Sequence, residues 1–119
     1  YKGRVHYYCA PCIDEWLSKF DASMKKNEVF EATARHIDSE IFKNYRLYPV
    51  NYVAADMLEN SSRFASKYSD EDKKKFEDYI ASRLAKIDIP NKDNSFLRER
   101  MLTMYANPTL NHYKTTGVL

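Results

Sequence analysis

The chain is 119 residues long, with 44% hydrophobic and 30% charged residues, which is the length and composition of one soluble domain. Its 19 Lys and Arg against 17 Asp and Glu leave a net charge of +2, so there is no strong positive field and we expect no nucleic-acid partner. No apolar run approaches the roughly 18–20 residues that a membrane span requires. Two cysteines are too few for a disulfide-dense secreted scaffold, so we expect a cytoplasmic protein.

The first residues of the chain contain its best strand candidate. The chain starts at Tyr1, and KGRVHYY lacks the long apolar run of a signal sequence, so we interpret the chain as a segment of a longer protein. In residues 4–8, RVHYY, Val and Tyr suit a pleated surface, and Pro11 ends the run. We predict that this strand closes a sheet whose other strands lie upstream. In the isolated segment its exposed edge would invite pairing between two copies, giving a homodimer.

Apolar residues at helical spacing dominate the next part of the chain. The stretch DEWLSKFDASM predicts a short first helix. A second helix is expected to begin at Asn27 as its N-cap, with Glu28 in the first turn. Its predicted buried stripe consists of Phe30, Ala34, Ile37, Ile41 and Tyr45. Pro49 suits the first turn of a third helix, which ends near Asn60.

Two more helices are predicted in the second half. Ser69 with Asp72 resembles a capping box and predicts a helix from about Asp70 to Lys86. A last helix in SFLRERMLTMYANP is expected to end at Asn107 and Pro108, before a frayed tail. The predicted fold is mainly α, one N-terminal strand followed by four to five helices. Its expected parts are residues 1–13 as the last strand and turn of an upstream domain, 14–107 as a helical domain, and 108–119 as a flexible tail.

The CAPC stretch places Cys9 and Cys12 around Pro11. A thioredoxin-type centre needs a strand that delivers the first cysteine to a helix N-terminus, where its thiol pKa is lowered. Cys9 has that position, but the sequence that follows predicts helices rather than the strands that would complete such a sheet. We favour the alternative that both thiols are small apolar groups packed in a strand-to-helix turn, with thiol–disulfide exchange as the competing hypothesis.

A metal site is not indicated by the sequence. Structural zinc needs four ligands, and the two cysteines supply only half of them. The remaining candidates are His6, His36 and His112, and none shows a second paired spacing. We therefore predict no metal and no other cofactor.

The stretch NYRLYPVNY contains the candidate binding surface. Its members are polar aromatic, basic and amide side chains, namely Tyr45, Arg46, Tyr48, Asn51 and Tyr52. Such a cluster could accept a phosphate or lipid headgroup, or recognise protein or RNA. The alternative, which we favour, is that the tyrosines pack the joint between two helices and hydrogen-bond its freed backbone groups.

Two stretches together resemble a known family. GRVHYYCAPCIDE, followed by ATARHIDSEIFKNYRLYPVNYVAADML, resembles the C-terminal part of bacterial glycerophospholipid acyltransferase-like proteins, often labelled putative hemolysins. In that family a closing strand ends in a Gly-x-Pro-Ile-like turn, and a helix leads into a Tyr-x-x-x-Pro-x-Asn-Tyr segment. The matching residues are Pro11, Tyr45, Pro49, Asn51 and Tyr52, while Cys9 stands in place of the glycine. The resemblance covers most of residues 3–58.

The resemblance implies a non-catalytic segment of an enzyme. The family transfers acyl chains to lysophospholipid-type acceptors with an HxxxxD motif, whose His acts as general base. Here the three histidines are followed five residues later by Pro11, Ile41 and Gly117, and the family's Glu-Gly-Thr-Arg-like motif is also absent. We therefore assign no catalytic residue. The segment is expected to pack on an upstream acyltransferase domain, to dock a partner, or to lie against the cytoplasmic face of a membrane.

Overall fold

The structure, a computed structural model, describes residues 3–117 and is mainly helical. Its α-helices are α1 (Asp14–Leu17), α2 (Lys26–Lys43), α3 (Pro49–Glu59), α4 (Asp70–Ala85) and α5 (Asn94–Thr116), with a short 3-10 turn at Ala65–Lys67. The chain divides into two compact units, Tyr1–Arg46 and Leu47–Leu119. The outermost residues of the predicted first and last parts, 1–2 and 118–119, lie outside the described residues.

Residues 4–8 do not form the predicted strand. No strand occurs between residues 3 and 117, and every residue from Gly3 to Cys12 is exposed. The strand propensity of Val5, Tyr7 and Tyr8 is not sufficient by itself, because a strand needs a neighbour to pair its backbone N–H and C=O groups. The prediction of an N-terminal strand is therefore wrong for the described chain, and the edge on which we based a homodimer is absent from it.

The first unit is organised around Trp16. Its indole ring stacks on the imidazole of His36 in α2, with centroids 4.1 Å apart, and meets the ring of Phe20 edge-on at 4.8 Å. Helix α1 is a single turn, shorter than the apolar spacing of DEWLSKFDASM predicted. The N-cap of helix α2 is Lys25 rather than the predicted Asn27, so the helix begins two residues earlier than expected. The backbone N–H of Lys25 donates to Glu28 Oε2 at 3.3 Å.

Helix α2 exposes the face that its sequence predicts to be buried. Phe30, Ile37 and Ile41 are 58%, 43% and 47% exposed, and Ala34 and Tyr45 are exposed as well. The helix instead contacts Trp16 through His36, which lies on another side of it. The helix was predicted correctly and its buried face was not, because periodicity identifies an apolar stripe without identifying what covers it.

The second unit contains the buried hydrophobic core of the described chain. Helix α3 packs against α4 and α5, and the core consists of Val53, Ala54, Ala55, Phe64, Phe76, Ile80, Leu102 and Ala106. Pro49 occupies the first turn of α3, and Asn60 ends the helix in the left-handed conformation, with φ of 50°. Both ends of α3 thus agree with the prediction.

Helix α4 begins with the predicted capping box. Asp72 N–H donates to Ser69 Oγ at 3.1 Å, and Ser69 N–H donates to Asp72 Oδ2 at 2.9 Å. Two backbone N–H groups that the first turn leaves without helical partners are satisfied in this way.

Helix α5 continues through Pro108, where the sequence predicts its end. The helix runs to Thr116, and Gly117 closes it with φ of 72°. Beyond the proline, Thr109 is fully buried and the ring of Tyr113 lies 5.0 Å from that of Phe64. A proline inside a helix costs about 3 kcal/mol. Burial of the following turn offsets that cost, so the predicted end of the helix at Asn107 and Pro108 is wrong, and the chain is helical to Thr116.

Candidate functional site

Within the NYRLYPVNY stretch, Asn51 forms hydrogen bonds with two parts of the chain. It lies in the first turn of α3, where its Oδ1 accepts a hydrogen bond from Tyr48 N–H at 2.9 Å. The backbone N–H of Asn51 returns a bond to the Tyr48 carbonyl, also at 2.9 Å. Its Nδ2 donates at 3.0 Å to the backbone carbonyl of Tyr105 in α5. One side chain therefore caps α3 and joins it to α5.

The Tyr105 carbonyl to which Asn51 donates lies in the turn of α5 that precedes Pro108. Pro108 has no N–H, so it cannot pair the carbonyl of Met104 four residues earlier, and its ring disturbs the helix at that turn. The Tyr105 carbonyl follows directly, and Asn51 supplies a donor to it. The role that we expected of the tyrosines, pairing with backbone groups near a helix end, is filled here by the side chain of Asn51.

The tyrosines of the candidate surface differ in their surroundings. The ring of Tyr52 lies 5.5 Å from Phe64 and 6.5 Å from Tyr113. Burial raises the pKa of Tyr52 to about 12, and a hydrogen bond with Tyr113 adds to the shift. Tyr52 is therefore part of an aromatic cluster of the second unit, and like Tyr48 it is half-buried.

The other two members of that surface belong to the first unit. Tyr45 and Arg46 are both exposed, and the Tyr45 ring lies 6.0 Å from that of Phe42. Tyr48, Asn51 and Tyr52 belong to the second unit. Five residues that are neighbours in sequence are thus divided between two compact bodies.

The two cysteines are exposed free thiols. Our expectation that both pack as apolar groups in a turn is therefore wrong. Cys12 borders a small cavity of about 210 Å³ together with Trp16 and His36. Helix α1, which follows them, has only four residues, and the strand that should precede Cys9 is missing. The structural setting of a thioredoxin-type thiol is not present in residues 3–117.

Asp56 is a buried carboxylate that the sequence analysis missed. It is 3% exposed. Its Oδ1 accepts from Ser61 Oγ at 2.8 Å, and its Oδ2 accepts from Phe64 N–H at 3.0 Å and from the Tyr68 hydroxyl at 2.8 Å. Burial, and then this hydrogen bond, raise the pKa of Tyr68 to about 12. An aspartate inside the apolar run VAADML was the available signal, because buried charges in proteins are normally fully hydrogen-bonded.

Asp56 orders the loop between α3 and α4. All of its donors come from residues 61–68, which lead from one helix to the next. Since every donor is a protein group already in place, the carboxylate has the character of a structural anchor rather than of a general base.

The described residues contain neither a metal-site cluster nor a helix suited to span a membrane, and comparisons with known proteins identify no family. Between residues 3 and 117, no three His, Cys, Asp or Glu side chains come together as a metal site would require. Over the same residues, none of the helices combines the length and hydropathy needed to cross a membrane. Comparison with protein-family models, curated proteins and solved structures gave no significant match.

Proposed function

We propose that this chain is a non-catalytic helical region of an acyltransferase-like protein, and that it docks on the acyltransferase domain of that protein. The resemblance of residues 3–58 to that family supports the identity. The missing HxxxxD spacing supports the absence of a reaction centre. The observation that carries the docking role is the apolar face of α2 that the described chain leaves uncovered.

The exposed face of α2 has the composition of a protein contact. Phe30, Ile37 and Ile41 recur at helical spacing, and each has close to half of its surface in water. Isolated exposed apolar residues are common, but an aligned row of large ones on a helix marks a surface that is covered in the functional assembly. Covering it would remove apolar area from water at about 25 cal/mol per Å².

The charges beside this face favour a protein over a lipid surface. The Lys26 ammonium lies 5.6 Å from the Phe30 ring centroid, and Asp38 lies next to Ile37 in the sequence. Glu31, one residue from Phe30, pairs with Arg35 at 2.8 Å. Helices that lie on anionic membranes carry an excess of Lys and Arg on their polar side, which α2 does not have.

The first test compares acyl transfer by this 119-residue chain with transfer by a longer parent that includes an upstream acyltransferase domain. The assay uses an acyl-carrier thioester and a lysophospholipid. We expect turnover by the parent only. Turnover by the 119-residue chain alone would refute a non-catalytic role.

The second test addresses docking through α2. Ile37→Asp with Ile41→Asp should lower the melting temperature of the parent but leave that of the 119-residue chain nearly unchanged, because both side chains are already exposed in it. Arg35→Asp is the control: it places a carboxylate on another side of the same helix and breaks the ion pair with Glu31, so it should lower the melting temperature of both chains equally. Equal melting temperatures for the parent and its double variant would exclude this face as the contact.

A further inference from the structure

An open cleft in the second unit is lined by charged side chains from three helices. Its volume is about 480 Å³, and its walls come from the end of α3, the loop after it, α4 and α5. Lys73 and Glu77 contribute from α4, Arg98 from α5, and Asp56 from α3. A cleft of this size lies within the range of small-molecule sites.

The basic residues of the cleft are distinguished from their neighbours by lacking a partner. Lys74 pairs with Asp78 at 3.1 Å and Lys75 with Glu71 at 2.6 Å, both on the outer surface of α4. Lys73 and Arg98 make no ion pair or side-chain hydrogen bond with other residues in the part of the chain that the structure describes. Their donors are therefore available to a ligand in the cleft.

The acidic residues of the cleft, Asp56 and Glu77, both among the described residues, form no ion pair with Lys73 or Arg98. Asp56 is 3% exposed, and its oxygens accept hydrogen bonds from Ser61, Phe64 and Tyr68. Glu77 is exposed on the same helix as Lys73 but is not paired with it. Two cations from different helices facing one cleft are a suitable arrangement for an anionic group, because a guanidinium and an ammonium can donate to the same oxyanion.

We propose that this cleft binds a small molecule through a phosphate or carboxylate group held between Lys73 and Arg98. Met57 and Leu102 give the cleft an apolar wall against which the uncharged part of such a molecule can pack. Glu77 adds a negative charge, which disfavours highly charged polyanions and favours a ligand with one anionic group. This site uses only residues of the second unit and does not depend on the proposed acyltransferase assignment.

The test is a titration of the 119-residue chain with inorganic phosphate and, separately, with acetate, followed by backbone amide NMR at constant ionic strength. Saturable shifts around residues 73 and 98 are expected. Lys73→Ala and Arg98→Ala should each weaken binding at least about tenfold, since each removes a charge-assisted hydrogen bond. Lys74→Ala is the matched control and should bind as the unchanged chain does, because Lys74 is paired outside the cleft.

Glu77, the exposed acidic residue of the cleft, gives a prediction of opposite sign. Glu77→Gln should tighten phosphate binding, because it removes a repulsive charge and leaves the shape of the cleft unchanged. Phosphate shifts that do not saturate, or that weaken as much in Lys74→Ala as in Lys73→Ala, would show non-specific ion attraction and overturn the proposal. Circular dichroism of each variant separates lost binding from lost folding. A preference for acetate over phosphate at equal concentration would identify the carboxylate as the recognised group.

Discussion

At the scale of single residues, Asn51 forms hydrogen bonds through both its amide oxygen and its amide nitrogen. Asn51→Ala removes the acceptor for Tyr48 N–H and the donor to the Tyr105 carbonyl. Loss of a capping interaction costs about 1 kcal/mol, and loss of the hydrogen bond to the Tyr105 carbonyl adds about 1 kcal/mol. We expect the free energy of unfolding to fall by about 2 kcal/mol in a urea titration followed by circular dichroism. The exposed Asn107, replaced by Ala, is the control, and an equal effect there would show that Asn51 has no special role.

Thr109 presents the opposite case, a buried hydroxyl with no hydrogen-bond partner. The residue is fully buried in α5, and its Oγ1 is unpaired among the described residues. Valine has nearly the same shape without the polar atom, so Thr109→Val should leave stability unchanged or raise it by about 1 kcal/mol. Thermal unfolding measures the change. Destabilisation by more than about 1 kcal/mol would mean that the hydroxyl has a partner.

At the scale of elements, the start of α4 gives a pH prediction. Hydrogen bonds from Ser69 lower the pKa of Asp72 below its ordinary 3.8. A carboxylate with a lowered pKa stabilises the folded state above its unfolded pKa, and the contribution is lost as pH falls through the folded value. Asp72→Asn should therefore be less stable than the unchanged chain at pH 7, and the difference should shrink as the pH falls below 3.8.

The partner residue in the same cap supplies the control for that experiment. Ser69→Ala removes the acceptor for Asp72 N–H, a bond that does not depend on the charge of Asp72, so most of its cost of about 1 kcal/mol should persist in acid. Urea unfolding at a series of pH values distinguishes the two variants. A difference for Asp72→Asn that stays constant down to acid pH would contradict the role given to its charge.

The start or end of a helix could be predicted from the sequence where nearby residues determine it. Helix α4 carries its own start signal in Ser69 and Asp72, and the observed helix ends one residue before the predicted end. The end of α5 was missed because Pro108 is a local stop signal, whereas the packing of Tyr113 on Phe64 joins residues far apart in sequence. The strand at residues 4–8 failed for a related reason, since strand formation depends on a partner that no local pattern can supply.

The roles of residues in the candidate site could not be predicted from the sequence, because they depend on partners that are distant in the chain. The sequence indicated the NYRLYPVNY stretch as a candidate surface. The hydrogen bond that Asn51 donates was not predictable, because its acceptor is a carbonyl 54 residues away. Asp56 was missed because its donors become apparent only when the loop after α3 folds back over it. The cleft lined by Lys73 and Arg98 could not be predicted, because α4 and α5 bring those residues together only in three dimensions.

At the scale of the whole molecule, the division into two units gives a prediction about folding. The hydrophobic core of the described chain lies entirely between Val53 and Ala106, within the second unit. Residues 47–119 expressed alone should therefore be helical by circular dichroism and unfold cooperatively, because their buried residues contact one another. A fragment with the spectrum of a random coil would show that the second unit depends on the first.

The position of Trp16 makes the first unit visible in solution without any label. Trp16 is the only tryptophan of the chain, and it lies in the unit that lacks the hydrophobic core. Its emission on excitation near 295 nm therefore comes from the first unit alone, where its ring stacks on that of His36. In one denaturant titration, emission would thus follow the first unit alone, while ellipticity follows the helices of both units.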